Sequence, residues 1–179
     1  MDISAISKPQ KADLLVSFLD IQNFSGISRT LPDPLALFDL LDSVAVLMTR
    51  ELEGAGGYVV KFIGDECLAV FPEDLADRGI GALAAAKRGV ERHLGDRGFP
   101  SMLRVTAHFG EVAIGPFGEG RSRQLDVIGD TVNIAASLGR GEHRGRLIIS
   151  PQVFRKLSLP SRRNRDGTLI PSATAKPRL

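Results

Sequence analysis

The sequence predicts an α+β domain: a ferredoxin-like βαββαβ core on an antiparallel sheet, with an appended C-terminal strand/helix portion. Three observations carry this. Residues 13–20, DLLVSFLD, are a short apolar run ending on an acid, the pattern of a buried strand. Two longer stretches, one opening at Asp33-Pro34 and one over residues 73–94, carry helical signals. Between them, two short β-rich runs face each other across Gly64-Asp65-Glu66 as a hairpin. Strand, helix, strand, strand, helix, strand is the order of a split βαβ unit.

Taken in order, residues 1–12 are a polar lead-in, and residues 13–157 form the domain. Residues 22–32 are a turn-rich connection with a short helix starting near Phe24. Asp33 then supplies an N-cap and Pro34 the first helical position. Leu37, Leu40, Leu41, Val44, Leu47, Met48 and Leu52 follow at three- and four-residue steps, up to the stop at Gly54-Ala-Gly-Gly57. The hairpin strands span 58–63 and 67–71. The second helix is rich in alanine and ends at Gly95. Residues 102–109 and 111–114 are expected to be two further strands, followed by a Gly/Pro-rich turn over 115–120. Residues 146–150 are a strand and 151–157 a short helix. Residues 158–179 form a basic tail with five Lys or Arg, one Asp and little apolar periodicity.

Composition narrows the function classes. The chain has 179 residues and a net charge of +2, so no global charge favours nucleic acid or a membrane surface. Trp is absent and Tyr58 is the single tyrosine, which argues against a stacking platform for single strands. The purely apolar runs fall far short of the roughly 20 residues of a membrane span. Cys67, the only cysteine, excludes an internal disulfide, and the N-terminus lacks the apolar core of a signal peptide. A cytoplasmic location is the expectation. Cys67 itself fits a small core position, and His108 a packed strand position.

The most informative segment is Asp126-Val-Ile-Gly129-Asp-Thr-Val-Asn133-Ile-Ala-Ala-Ser137. It places an acid at a strand end, a glycine turn, and an amide in the first turn of an apolar helix capped by Asp130 or Thr131. A carboxylate and an amide facing one cleft suit recognition of a base and a sugar.

A second constellation is the pair Asp20 and Asp65. Each alone is explained as a strand terminator or a turn residue. In a ferredoxin-like sheet, however, the first and third strands are antiparallel neighbours, which brings the two carboxylates together. Two carboxylates beside a phosphate are a common Mg²⁺ arrangement, and the pair suits two ions bridging a phosphoryl group. Strand alternation nominally sets Lys61, Ile63 and Asp65 on one side. Lys61 either reads a purine acceptor or is a solvated strand lysine. Arg104 either supplies a guanidinium fork to phosphate or is a surface strand arginine. The turn after Asp20, Ile21-Gln-Asn23-Phe24-Ser25, leads into a helix whose backbone N–H groups are a ready anion site.

Together these segments resemble the catalytic domain of class III nucleotide cyclases, the adenylate/guanylate cyclase family. The matching text is Phe18-Leu-Asp20-Ile-Gln-Asn-Phe24-Ser25, Gly56-Gly57-Tyr-Val-Val-Lys61-Phe-Ile-Gly64-Asp65, Arg104-Val-Thr-Ala-His-Phe-Gly110-Glu-Val-Ala-Ile-Gly115 and Asp126-Val-Ile-Gly129-Asp-Thr-Val132-Asn133-Ile-Ala135. The resemblance covers about residues 13–155.

The resemblance implies conversion of ATP to cyclic AMP and pyrophosphate by attack of the ribose 3′-hydroxyl on the α-phosphate. It implies a head-to-tail homodimer, or a heterodimer with another cyclase-type subunit, with sites shared at the interface. Asp20 and Asp65, helped by the Ile21 carbonyl, would hold two Mg²⁺ or Mn²⁺ ions. Asn23, Phe24 and Ser25, with Arg104, would hold the triphosphate. Lys61 and Asp126 of the other protomer would read adenine, and Asn133 would orient the ribose. No nucleic-acid partner and no membrane span are implied.

Two departures stand out. The family's transition-state arginine falls at Ser137, and arginine fingers in related chemistry are worth on the order of 10³–10⁵ in rate. Arg140 or Arg144 are the nearby replacements. The family's phosphate-binding lysine near the C-terminus has only Lys176 as a stand-in. Both departures predict slowed turnover, or a catalytically deficient module that binds nucleotide or a cyclase partner for signalling.

Overall fold

A computed structural model describes residues 1–138, 145–158 and 169–171, the last as backbone. The elements are β1 (Gln10–Ile21), α1 (Phe24–Thr30), α2 (Pro34–Glu53), β2 (Tyr58–Ile63), β3 (Glu66–Pro72), α3 (Ala76–Asp96), β4 (Leu103–Phe117), β5 (Gln124–Ile128), α4 (Asp130–Ser137), β6 (Leu147–Ile149), α5 (Pro151–Lys156) and β7 (Leu169–Pro171). The sheet runs β2-β3-β1-β4-β6-β7, with β5 also paired to β4. The β2-β3-β1-β4 part is antiparallel throughout and realises the expected βαββαβ core. The appended β6 and β7 are parallel to their neighbours.

Local chemistry explains the helix borders. Asp33 caps α2 by accepting the Leu35 N–H at 3.1 Å, with Pro34 in the first turn. Ser150 caps α5 in the same way, accepting the Val153 N–H at 3.3 Å. Such caps stabilise a helix by about 1 kcal/mol each. Leu40, Val44, Met48 and Leu52 of α2 recur every four residues and form its buried stripe. With Leu83, Val90 and Leu94 of α3 they pack on Leu15, Leu19 and Val105 of the sheet. The opposite sheet face carries a second core, in which Leu14, Val16, Val60, Leu68 and Val70 meet Ile3, Val112, Val127 and Ala135.

Three expectations are corrected. Residues 102–109 and 111–114 are one strand, β4, which also runs into the expected turn as far as Phe117. Gly110 does not break it. It is small because Thr131 presses on it: a Cβ there would lie 2.7 Å from the Thr131 hydroxyl. Neither Asp130 nor Thr131 caps α4. Gly129 takes the cap position at φ 150, and the Thr131 hydroxyl donates instead to the Glu111 carbonyl at 2.7 Å. A register shift between Val59 and Lys61 precedes the run of Lys61, Ile63 and Asp65, and from Lys61 to Ile63 the pairing with β3 is regular. Finally, strand β7 lies within the region expected to be a basic tail with little apolar periodicity.

Candidate functional site

The antiparallel register of β1 on β3 runs from Leu14↔Pro72 to Leu19↔Cys67, so the end of β1 stands beside the turn that opens β3. Asp20 and Asp65 meet there. Asp65 also edges an apolar groove of about 220 Å³ lined by Phe38, Leu41, Ala45, Met48 and Phe62. Burial first, then the Asp20 charge, pushes the Asp65 carboxyl up to about 6, while N–H donation from its own backbone and from Ile21 pulls the other way. Glu66 is raised as well, by burial and by Asp20, with Arg104 opposing.

Two crowded carboxylates of this kind disfavour each other's charge, and their oxygens are the hard donors that divalent ions prefer. The residues therefore fit a divalent cation. Among the described residues there is no cluster of three or more His, Cys, Asp or Glu side chains suited to a metal. A cation here would rely on the two carboxylates, a backbone carbonyl and oxygens of a ligand, as Mg²⁺ sites on phosphates do.

Arg104 stands directly opposite Asp20 in the β1–β4 register, and its Nη2 donates to Asp20 Oδ2 at 2.6 Å. The sequence alone leaves Arg104 to phosphate or to solvent. In the structure it orients a carboxylate of the candidate cation site. Asn23, Phe24 and Ser25 lie at the start of α1, which has seven residues, and Asn23 holds the left-handed conformation at φ 58 and ψ 32.

Lys61 and Asp126 form the second group. Strand β5 meets β2, and Lys61 Nζ donates to Asp126 Oδ2 at 2.7 Å, while Asp126 Oδ1 accepts the Val127 N–H at 2.8 Å. Only 28% of the Lys61 side chain and 11% of that of Asp126 is exposed, so this is a partly desolvated pair. The third group is on α4, where Asn133 and Ser137 are both exposed, four residues apart on one side. The Ser137 hydroxyl donates to the Asn133 carbonyl at 2.6 Å. Arg140, Arg144 and Lys176 lie outside the described residues.

Two expected bystanders behave as such. Cys67 is fully buried with its thiol pushed up to about 12, which makes it inert. His108 is buried at 4% exposure and shifted down by desolvation. Sequence reasoning missed Glu66, whose proximity to Asp20 is a matter of register, and Gln22, which carries no motif signal.

Comparison with known proteins gives the family. A family model described as the adenylate and guanylate cyclase catalytic domain matches residues 6–169. An adenylate cyclase of Anabaena cylindrica is 27% identical over 157 residues, 82% of this chain and 31% of the relative. A terminal-differentiation specific adenylate cyclase of Dictyostelium discoideum is 28% identical over 147 residues, 76% of this chain and 7% of the relative. The chain thus spans at most about a third of these curated relatives. Among solved structures, the adenylyl cyclase CyaB from P. aeruginosa superposes with a TM-score of 0.76 at 25% identity, covering 83% of this chain and 82% of that one. The guanylyl cyclase Cya2 gives 0.75 at 20% identity, over 83% and 80%, and speaks to the fold. The match over nearly the whole chain, on a sheet that brings Asp20 to Asp65 and Lys61 to Asp126, makes this chain a member of the adenylate and guanylate cyclase catalytic domain family.

Proposed function

We propose that this domain converts ATP to cyclic AMP and pyrophosphate. The observation that carries the choice of ATP is the Lys61–Asp126 pair at 2.7 Å. An ammonium has three donors, and Asp126 engages one, so Lys61 keeps donors for a ring nitrogen. The Asp126 carboxylate accepts from an exocyclic amino group. Adenine offers that acceptor and donor. Guanine offers a carbonyl and a ring N–H and meets the wrong partners.

Asp20 and Asp65, with the Ile21 carbonyl, would hold Mg²⁺ or Mn²⁺. Bound there, such ions would offset phosphate charge and lower the pKa of the ribose 3′-hydroxyl. Arg104 keeps the Asp20 carboxylate oriented. Asn23 to Ser25 face the phosphates with their backbone N–H groups. Asn133 aligns the ribose so that its 3′-oxygen approaches the α-phosphorus in line, an entropic contribution.

The surface around these groups supports a site shared by two protomers. Phe62, Ile63 and Ile128 are 39, 56 and 52% exposed and flank Lys61, Asp65 and Asp126. Apolar side chains beside charged recognition groups suit burial against a second cyclase-type chain. Parallel incubations with ATP and with GTP, each with Mn²⁺, test the substrate. Cyclic AMP should exceed cyclic GMP, and the reverse would overturn this choice.

A second reading, a nucleotide-binding module without turnover, is favoured by one observation. Ser137 stands where the family has an arginine, and its hydroxyl is already engaged by the Asn133 carbonyl.

A further inference from the structure

We infer that Gln22 is a positioning residue for the turn that leads from Asp20 and Ile21 at the end of β1 into α1, a three-way clamp between that turn, the start of β4 and the lead-in to β6. The Gln22 N–H donates to the Met102 carbonyl at 2.9 Å. Its carbonyl accepts from the Ser101 hydroxyl. Its side-chain Oε1 accepts the Gly145 N–H at 3.1 Å, across 123 residues of sequence. One residue thus ties three distant segments at the point where the chain leaves β1.

The clamp matters because its neighbour in the chain, Asn23, holds the left-handed conformation. Asn23 is the only non-glycine residue with positive φ among the described residues. Asn tolerates this conformation better than other residues with a Cβ, yet it still competes with the ordinary helical and extended regions, so neighbouring contacts help to select it. The Asn23 side chain makes no capping bond to α1, so it does not hold its own turn. The turn is closed by the Gly26 N–H on the Asn23 carbonyl at 2.8 Å, and position 26 has no room for a side chain, since a Cβ would lie 2.6 Å from Asn23 Nδ2. Gln22 fixes the other end of this turn.

The anchor it uses is itself braced. Glu91 of α3 accepts the Leu103 N–H at 2.9 Å and pairs with Lys87 at 2.5 Å, a lysine only 5% exposed. Residues 101–103 are therefore held from two sides, and the next residue, Arg104, reaches Asp20. Loosening Gln22 would free the turn that follows Asp20 and Ile21 at the end of β1 and so loosen the backbone from which the Ile21 carbonyl and the Asp20 carboxylate are presented.

This inference rests on the cation reading of Asp20 and Asp65, and its test separates the two. Gln22→Met keeps the side-chain length and removes the acceptor, whereas Gln22→Glu keeps an acceptor. Amide hydrogen exchange of the metal-free chain and Mn²⁺ affinity would be measured for both variants. Gln22→Met should speed exchange over residues 22–30 and at Gly145, leave β2 and β3 unchanged, and weaken Mn²⁺ binding about five- to tenfold, the value of one hydrogen bond. Gln22→Glu should restore slow exchange and bind Mn²⁺ at least as well as Gln22→Met. Unchanged exchange over 22–30 in Gln22→Met would overturn the clamp. So would acceleration across the whole sheet, which marks a merely structural role, or a loosened loop with undiminished Mn²⁺ affinity. If the unaltered chain binds no Mn²⁺, the cation reading fails, while the exchange data still decide whether Gln22 holds the loop.

Discussion

Lys61 and Asp126 lie 65 residues apart, on β2 and β5, yet their side chains meet at 2.7 Å within one chain. The two strands are not neighbours in the ordered sheet, since β5 hangs on the far half of β4. The second hydrophobic core explains how they meet. Val127 of β5, Val112 and Ile114 of β4 pack with Val60 and Leu68 of the hairpin, so β5 is drawn across the sheet to β2.

This pair should be worth measuring both as structure and as specificity. Lys61→Met leaves an 11%-exposed carboxylate without its cation, at a cost of about 1–3 kcal/mol in unfolding free energy. It should also reduce the preference for ATP over GTP by about tenfold or more, because the donor to the adenine ring nitrogen is lost and only the Asp126 acceptor for the amino group remains. Chemical denaturation and paired kcat/KM values check the two effects. Full retention of base preference would remove Lys61 from the base-reading role.

The carboxylate pair predicts a pH dependence with a definite sign. Asp65 sits near 3.8 ordinarily and at about 6 in the folded chain. Between about pH 4 and 6 the folded state therefore holds a proton that the unfolded state has lost. Stability of the metal-free chain then falls as pH rises through that window. Asp65→Asn should flatten this part of the profile and leave the variant more stable than the unaltered chain at pH 7 in EDTA. Thermal unfolding of both chains from pH 4 to 8 gives the difference curve. A curve that is flat, or that rises with pH, contradicts the assignment.

Ser137 is exposed in the last turn of α4, with room for a longer side chain. A cation there also complements the C-terminal end of the helix. Ser137→Arg should therefore leave Tm unchanged or slightly higher and raise kcat at least about tenfold, a part of the ~10³–10⁵ known for arginine fingers. An unaltered kcat would mean that another group already serves this function.

Much of this is legible in the sequence, for physical reasons. Asp33-Pro34 and Gly54 punctuate α2 chemically, and Gly64-Asp65 closes a hairpin, so the order of elements can be read directly. That order alone makes Asp20 and Asp65 neighbours. Punctuation by glycine fails where tertiary context decides. Gly110 and Gly115 look like strand borders, but a Cβ at either would collide, with Thr131 and with Pro9 respectively, while β4 runs through both. Register is equally hidden. No local pattern announces that Arg104 lies opposite Asp20, that Glu66 approaches both, or that Gln22 reaches Gly145. Strand β7 is three residues long and pairs with β6 through backbone, which leaves no periodic trace.

On the reading proposed above, the domain cyclises ATP at a site two chains share. The direct measurement is cyclic AMP formation from ATP and Mn²⁺ across a protein dilution series, beside an Asp20→Ala control. The expected result is product that depends on Asp20 and a specific activity that falls on dilution. No product above the control at the highest protein concentration would contradict cyclisation, and a specific activity constant to high dilution would contradict the shared site.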